Sequence, residues 1–299
     1  MVAMEYTGSR GIVFEQLRRR LFSVAYRMTG TRADAEDIVQ EAYLRWHRTD
    51  AAEVRSPEAW LVSVVTRLAI DRLRKASVER EAYTGQWLPE PLFGVPSPEE
   101  QLELASDLSM AFMVLLERLA PSERAAFLLH DIFDCDYPDI ARILGKSEAT
   151  CRQVVHRARE RVRRDQRRFS AREEDRRRLI EKFMAASSAG DEASLLSLFA
   201  EDATLTSDGG GVVHAARKVV KGRGRIAHLF IVVARKLGAR LTQAILPING
   251  EPGLVTFVDG APFSATSFET DGSSIIALYN VLNPEKLQGI RPLEDAPDR

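Results

Sequence analysis

The sequence predicts a multidomain chain: two all-α modules, the second a helix-turn-helix, followed by an α+β domain. Three observations carry this. Apolar residues recur at three- and four-residue spacing through most of residues 12–168. Within residues 136–168 a short helix, a glycine-bearing turn and a capped second helix follow one another. After residue 239 the pattern turns to short runs separated by turn residues, as a sheet requires. At 299 residues the chain has room for two or three domains, each with its own core.

Residues 10–80 form the first module. Phe14, Leu17, Leu21, Val24, Ala25 and Met28, then Ala35, Ile38, Val39, Ala42, Tyr43 and Trp46, predict two amphipathic helices. Gly30 can end the first and Thr31 cap the second, and Asp34 in its first turn suits the helix dipole. Ser56-Pro57-Glu58 opens a third helix, which runs through Trp60, Leu61, Val64, Leu68 and Ile70 to about Lys75. Residues 81–103 read as a linker. Its prolines and glycines between Tyr83 and Glu100 forbid a continuous helix or a central strand. Trp87, Leu88, Leu92 and Phe93 are costly to leave in water, so this linker is expected to dock.

The second module spans residues 104–170. Helical periodicity over 100–119 breaks at Ala120-Pro121 and restarts through His130 with Ser122 as cap. A short helix starting at Pro138, a turn at Gly145 and a cap at Ser147 then introduce a helix from Glu148 to about Arg168. Residues 175–290 change style. Helices over 179–189, 192–200 and 223–237 and the triplet Gly209, Gly210, Gly211 precede strands over 239–248, 253–258, 262–268 and 274–281.

A net charge of -1 with 45% hydrophobic and 28% charged residues describes a soluble globular chain, yet the charge is uneven. Arg152, Arg157, Arg159, Arg161, Arg163, Arg164, Arg167 and Arg168 crowd one helix, whereas Asp34, Glu36, Asp37 and Glu41 form an acidic cluster far upstream. The apolar runs are too short to cross a bilayer, and the first residues lack the layout of a secretory signal, so the chain is expected in the cytoplasm with no membrane partner. Cys135 and Cys151 lack metal-site spacing and read as small buried or half-buried side chains; no metal or cofactor is expected.

The helix from Glu148 has what a reader of duplex DNA needs. Arg152, Gln153 and His156 lie near its start on neighbouring faces, where Arg and Gln can make paired hydrogen bonds to base edges. Arg157, Arg159, Arg163 and Arg164 suit phosphates, which give affinity without sequence choice. In the third helix Trp60 accompanies Arg67, Arg72, Arg74 and Lys75, the aromatic and cationic mixture that grips single-stranded DNA; Trp60 itself reads first as a core residue.

Phe22-Ser-Val-Ala-Tyr-Arg-Met-Thr-Gly, Asp34-Ala-Glu-Asp-Ile-Val-Gln-Glu-Ala-Tyr-Leu-Arg-Trp and Arg67-Leu-Ala-Ile-Asp-Arg-Leu-Arg resemble region 2 of the extracytoplasmic-function sigma factors. Tyr137-Pro-Asp-Ile-Ala-Arg-Ile-Leu-Gly and Thr150-Cys-Arg-Gln-Val-Val-His-Arg-Ala-Arg resemble their region 4. The resemblance implies RNA polymerase core and promoter DNA as partners. It assigns polymerase contact to Asp34, Asp37, Gln40 and Glu41. It assigns -10 recognition to the loop at 48–55, with Arg48 and Arg55, and to Trp60, Arg67, Asp71, Arg72, Arg74 and Lys75. Arg152, Gln153, His156 and Arg157 match the -35 readers. Pro138 and Cys151 replace a commoner acidic residue and valine.

Trp87, Leu88, Pro89, Glu90 and Pro91, then Asp208, Gly209, Gly210 and Gly211, then Asn283, Pro284, Glu285, Lys286 and Leu287, resemble motifs of the subgroup carrying a C-terminal SnoaL-like domain. That implies a cone-shaped α+β fold, packed on the sigma regions and linker, that regulates the factor in cis without a separate anti-sigma protein. A small-molecule ligand of this domain is a further expectation. Two rival readings remain open: a helix-turn-helix regulator with a ligand-sensing domain, and a fused SnoaL-like enzyme using Asp202, His214, His228, Asp259 or Tyr279, among which no pair has an acid–base spacing.

Overall fold

A computed structural model describes residues 2–50, 54–94, 108–166 and 171–293. The chain divides into two units, one of residues 1–81 and 115–165, the other of residues 82–114 and 166–299.

The first unit is helical. α1 (Val2–Thr29), α2 (Arg32–Arg48) and α3 (Pro57–Glu81) bury Leu21, Val24, Met28, Ile38, Trp46, Leu61 and Val65 against one another. α1 starts earlier than the apolar spacing predicts and α3 runs past Lys75 to Glu81. Gly30, at φ +75, stops α1 in a left-handed conformation that glycine adopts without strain. Thr31 occupies the cap position of α2 without a side-chain cap bond, whereas the Ser56 hydroxyl accepts from Ala59 N at 3.3 Å and caps α3 as expected.

α4 (Met110–Leu116), α5 (Pro121–Asp131), α6 (Tyr137–Leu144) and α7 (Glu148–Gln166) follow. The cap before α5 differs from expectation. Pro121 fixes the first helical position, so Ala120 is the cap residue and the Glu123 carboxylate accepts from its backbone N–H, displacing Ser122 into the first turn. Gly145, at φ +65, closes α6, and the Ser147 hydroxyl accepts from Thr150 N at 3.2 Å to start α7. This is the helix-turn-helix expected from Pro138, Gly145 and Ser147. Charged side chains tie these helices to the first three. The buried Arg124 guanidinium donates to Arg27 O at 2.7 Å and pairs with Glu117, which also pairs with Arg80.

In the second unit, α8 (Glu173–Ala189), α9 (Glu192–Ser197) and α10 (Arg223–Leu237) lie on one face of a sheet. Its strands are β1 (Phe199–Asp208), β2 (Val220–Lys221), β3 (Leu241–Ile248), β4 (Glu251–Val258), β5 (Ala261–Thr270) and β6 (Ile275–Val281), in the order β2-β1-β6-β5-β4-β3. β1 and β6 run parallel; the other neighbours are antiparallel. Leu205, Leu254, Phe268 and Leu278 point to the helices, where Phe183 meets Phe268 edge-on with centroids 5.2 Å apart.

The opposite face is covered differently. Val255, Phe257, Ala265 and Val281 pack on Leu88 of the linker, Met110 of α4, and Leu287 and Ile290 beyond β6. Phe93 bridges to Ile248, and Leu92 exchanges hydrogen bonds with Asn249: Leu92 N to Oδ1 at 2.7 Å and Asn249 N to Leu92 O at 2.9 Å. The linker therefore docks, as its apolar residues predict, because a sheet with two apolar faces needs a second cover.

Candidate nucleic-acid interface and linker clamp

On α2, Asp37 and Gln40 are exposed, Glu41 is half-buried, and the spacing places Leu44, 43% exposed, on the same stripe. An exposed apolar residue on a stripe with Asp37, Gln40 and Glu41, the last paired with Arg45 at 2.8 Å, fits a protein surface better than a nucleic acid. Asp34 differs from its companions: its carboxylate accepts from Arg72 Nε at 2.7 Å, and Arg72 also binds Glu79. The pair joins α2 to α3 and holds the Arg72 guanidinium protonated beyond its ordinary range, its two carboxylates outweighing burial.

Arg48, Arg55, Arg67, Asp71, Arg74 and Lys75 are exposed. Residues 51–53 of the 48–55 loop lie outside the described residues. Trp60 is half-buried, its ring 5.5 Å from that of buried Trp46, so it serves the core with one side and lines a cleft with the other. Arg67 donates to Ile143 O at 3.2 Å and Arg142 O at 3.0 Å, capping the last turn of α6. Asp71 pairs with Arg74 at 3.2 Å.

On α7, Cys151, Val154, Val155, Ala158 and Val162 are buried, which turns Arg152, Gln153, His156 and Arg157 outward. Arg152 pairs with Glu148 at 2.8 Å and lies over the Tyr137 ring, which holds its side chain near the helix start. One expectation fails: Arg159 does not stand with the outward cations but clasps Asp131 of α5 through its Nε and Nη2. Arg161 pairs with Glu123 at 2.8 Å, whereas Arg163 is exposed. The side chain of Arg164, and all of Arg167 and Arg168, lie outside the described residues.

In the second unit the three short motifs meet. Asp208, fully buried at the end of β1, accepts from Tyr83 Oη at 2.6 Å and Gly210 N at 3.0 Å on Oδ1, and from Leu88 N at 2.9 Å and Lys286 Nζ at 2.7 Å on Oδ2. Lys286 also donates to Leu88 O and sits 4.2 Å from the centre of the Trp87 ring. Asn283 Nδ2 donates to Tyr83 Oη at 3.1 Å while its Oδ1 accepts from Glu285 N. Burial and the Asp208 carboxylate push the Tyr83 phenol well above its ordinary range, so it is a donor at every physiological pH.

The glycines have a steric reason. A Cβ on Gly210, at φ +65, would lie 2.5 Å from Asn283 Cγ, and one on Gly209 would lie 2.3 Å from Val213 O. Leu88, Pro89, Pro91 and Leu287 are buried beside the cluster, and Glu90 is half-buried. Asn249 was missed in the sequence. Its Nδ2 donates to Leu108 O at 2.8 Å, so one side chain ties Leu92 in the linker and Leu108 beyond it to the sheet.

The five residues offered for catalysis do not come together. Asp259 pairs with Arg240 at the β4–β5 turn, His228 and Asp202 are exposed, His214 lies on the loop after β1, and Tyr279 packs on the linker face of the sheet. No metal-binding cluster occurs among the described residues, and none of their helices is long and apolar enough to cross a membrane.

Residues 13–78 match the model of Sigma-70 region 2 and residues 109–162 that of Sigma-70, region 4. The chain is 40% identical to ECF RNA polymerase sigma factor SigJ of Mycobacterium tuberculosis over 94% of each chain. It is 29% identical to the probable sigma factor SigI of the same species, over 92% of this chain and 93% of that one. The crystal structure of the Mycobacterium tuberculosis SigJ aligns with a TM-score of 0.77 at 38% identity, covering 94% of this chain and 99% of that one. With region 2 on α1 to α3, region 4 on α4 to α7 and the C-terminal α+β unit all matched in order, the chain belongs to the extracytoplasmic-function RNA polymerase sigma factors.

Proposed function

We propose that this sigma factor docks on core RNA polymerase through Asp37, Gln40 and Glu41 around Leu44, with Asp34 oriented by Arg72. The α3 face from Arg67 to Lys75 and the 48–55 loop engage the -10 element, and Arg152, Gln153, His156 and Arg157 read the -35 element. The reading rests most on one observation: the buried stripe Cys151, Val154, Val155 and Ala158 turns those four α7 side chains outward just after a helix-turn-helix bend. The function boundaries are residues 10–80, 81–103, 104–170 and 175–290, and the protein works in the cytoplasm beside polymerase. It acts by binding and not by catalysis.

The C-terminal domain regulates the factor in cis, with a small molecule as its ligand. What supports this is that the only covalent path from region 2 to region 4 runs through residues clamped by Asp208, Lys286 and Asn249. In vitro transcription tests both parts. Core polymerase with this protein starts at a promoter that neither serves alone, and Lys286→Met changes the output. No start from any promoter sinks the sigma roles; an unchanged output in Lys286→Met sinks the control by the clamp.

A further inference from the structure

The helix-facing side of the second unit's sheet is apolar at one end and polar at the other. Leu205, Ile245, Leu254, Phe268 and Leu278 belong to the core, but two residues further along their strands the same face carries Ser207, Gln243, Thr256, Thr266 and Asn280. Ser207, Asn280 and Thr266 stand in register across β1, β6 and β5. These small polar groups do not fill the space beneath α10, where Leu229, Phe230, Val233 and Leu237 present an apolar roof. A cavity of about 600 Å³ results, the size of pockets that hold drug-sized molecules.

Its chemistry is specific. Asn280 Oδ1 accepts from the Thr266 hydroxyl at 3.1 Å, which leaves the amide NH₂ on the cavity wall as a donor. Lys236 and His214 are the ionisable lining residues, and both are exposed, so the interior offers an ion no partner. The far wall has a second use. Ser207, Val213, His214, Ala215 and Ala216 also line a smaller pocket whose other side is Thr84 and Gly85 of the linker, and Asp208 follows Ser207 directly.

We propose that this cavity binds a neutral, predominantly apolar small molecule bearing a carbonyl oxygen that accepts from Asn280, and that occupancy acts on the Tyr83–Asp208–Lys286 clamp through residues 207–216. The proposal rests on the reading that the C-terminal unit controls the linker. An occupant pressing on Val213 and Ser207 moves the same backbone that holds Asp208 between Tyr83 and Lys286, and binding at one side then changes affinity at the other by the same factor.

The test uses the full-length protein and prodan, a neutral naphthalene ketone whose emission shifts to the blue in dry surroundings. Saturable, blue-shifted binding is expected, abolished in Ser264→Leu, which fills the cavity floor, and weakened about five-fold in Asn280→Leu. Thr256→Leu replaces Ser264→Leu if thermal melting shows that the latter does not fold. Tyr83→Phe, which touches only the clamp, should change the prodan affinity by about five-fold or more. Absence of a blue shift, or binding that survives the cavity variants, overturns the site; equal affinity in Tyr83→Phe overturns the coupling. Transcription by Lys286→Met without ligand is read separately, so a failed cavity and a failed linker control give different results.

Discussion

Lys286 Nζ lies 2.7 Å from Asp208 Oδ2, and the two side chains are 9% and 0% exposed. Each is the other's reason to be charged inside the protein, and between them they hold Leu88 by both its N–H and its carbonyl. Removing one member of such a pair leaves the other charge buried and unmatched.

Lys286→Met is therefore expected to destabilise the second unit by about 3 kcal/mol or more. Denaturant titration followed at Trp87, with Trp46 and Trp60 read as a separate transition, measures it. A loss of under 1 kcal/mol would show that the carboxylate is satisfied by its other donors alone.

Gly210→Ala combines a left-handed backbone with a Cβ 2.5 Å from Asn283 Cγ. The backbone component alone costs about 1 to 2 kcal/mol. Asn283 must also move, which takes its hydrogen bond from Tyr83. Faster hydrogen exchange at Leu88 N–H, whose acceptor is Asp208, is the expected signature; unchanged exchange there would refute it.

Glu269 on β5 is almost fully buried, and that burial, reinforced by Glu251 and opposed by Arg176, raises its carboxyl from the ordinary 4.5 to about 8. The folded state thus binds the proton more tightly than the unfolded chain. This stability is fully present below the unfolded pKa and is lost as pH rises from about 4.5 through about 8, at up to ~1.4 kcal/mol per pH unit. The second unit should be more stable at pH 5 than at pH 8, and Glu269→Gln should flatten that slope. A slope that persists in Glu269→Gln assigns it to other groups.

Arg163 and Arg159 separate a phosphate contact from a structural one. Arg163→Ala is expected to lower the salt dependence of promoter binding by about one unit in the logarithmic slope. Arg159→Ala should leave that slope intact and cost about 1 kcal/mol of stability, because its partner Asp131 is mostly buried while Arg159 itself is 37% exposed. The opposite ranking would place Arg159 on the DNA.

The parts of the fold that periodicity and punctuation can specify were legible. α10 follows from an apolar stripe bounded by Gly222 and Gly238, and the α6–α7 turn from Pro138, Gly145 and Ser147. β1 was not, since Ala200, Glu201, Asp202 and Ala203 lack the alternation of a half-buried strand. Long-range pairing was hidden for the same reason. Nothing local distinguishes Arg159, held by Asp131 on another helix, from its outward neighbours, and Glu269 looks like an ordinary polar residue near a turn. The three clamp motifs were each visible, but their meeting around Asp208 depends on sheet order, which no spacing encodes.

Docking the linker on the sheet also sets a length. Free, the chain from residue 82 to residue 108 would reach on the order of 90 Å at full stretch. Tyr83 and Leu88 are held at Asp208, and Leu92 and Leu108 are both held by the one side chain of Asn249, so these four points lie far closer together than that reach. On the roles proposed for α3 and α7, the clamp is then a reel: releasing it is expected to lengthen the promoter spacer that one molecule can bridge.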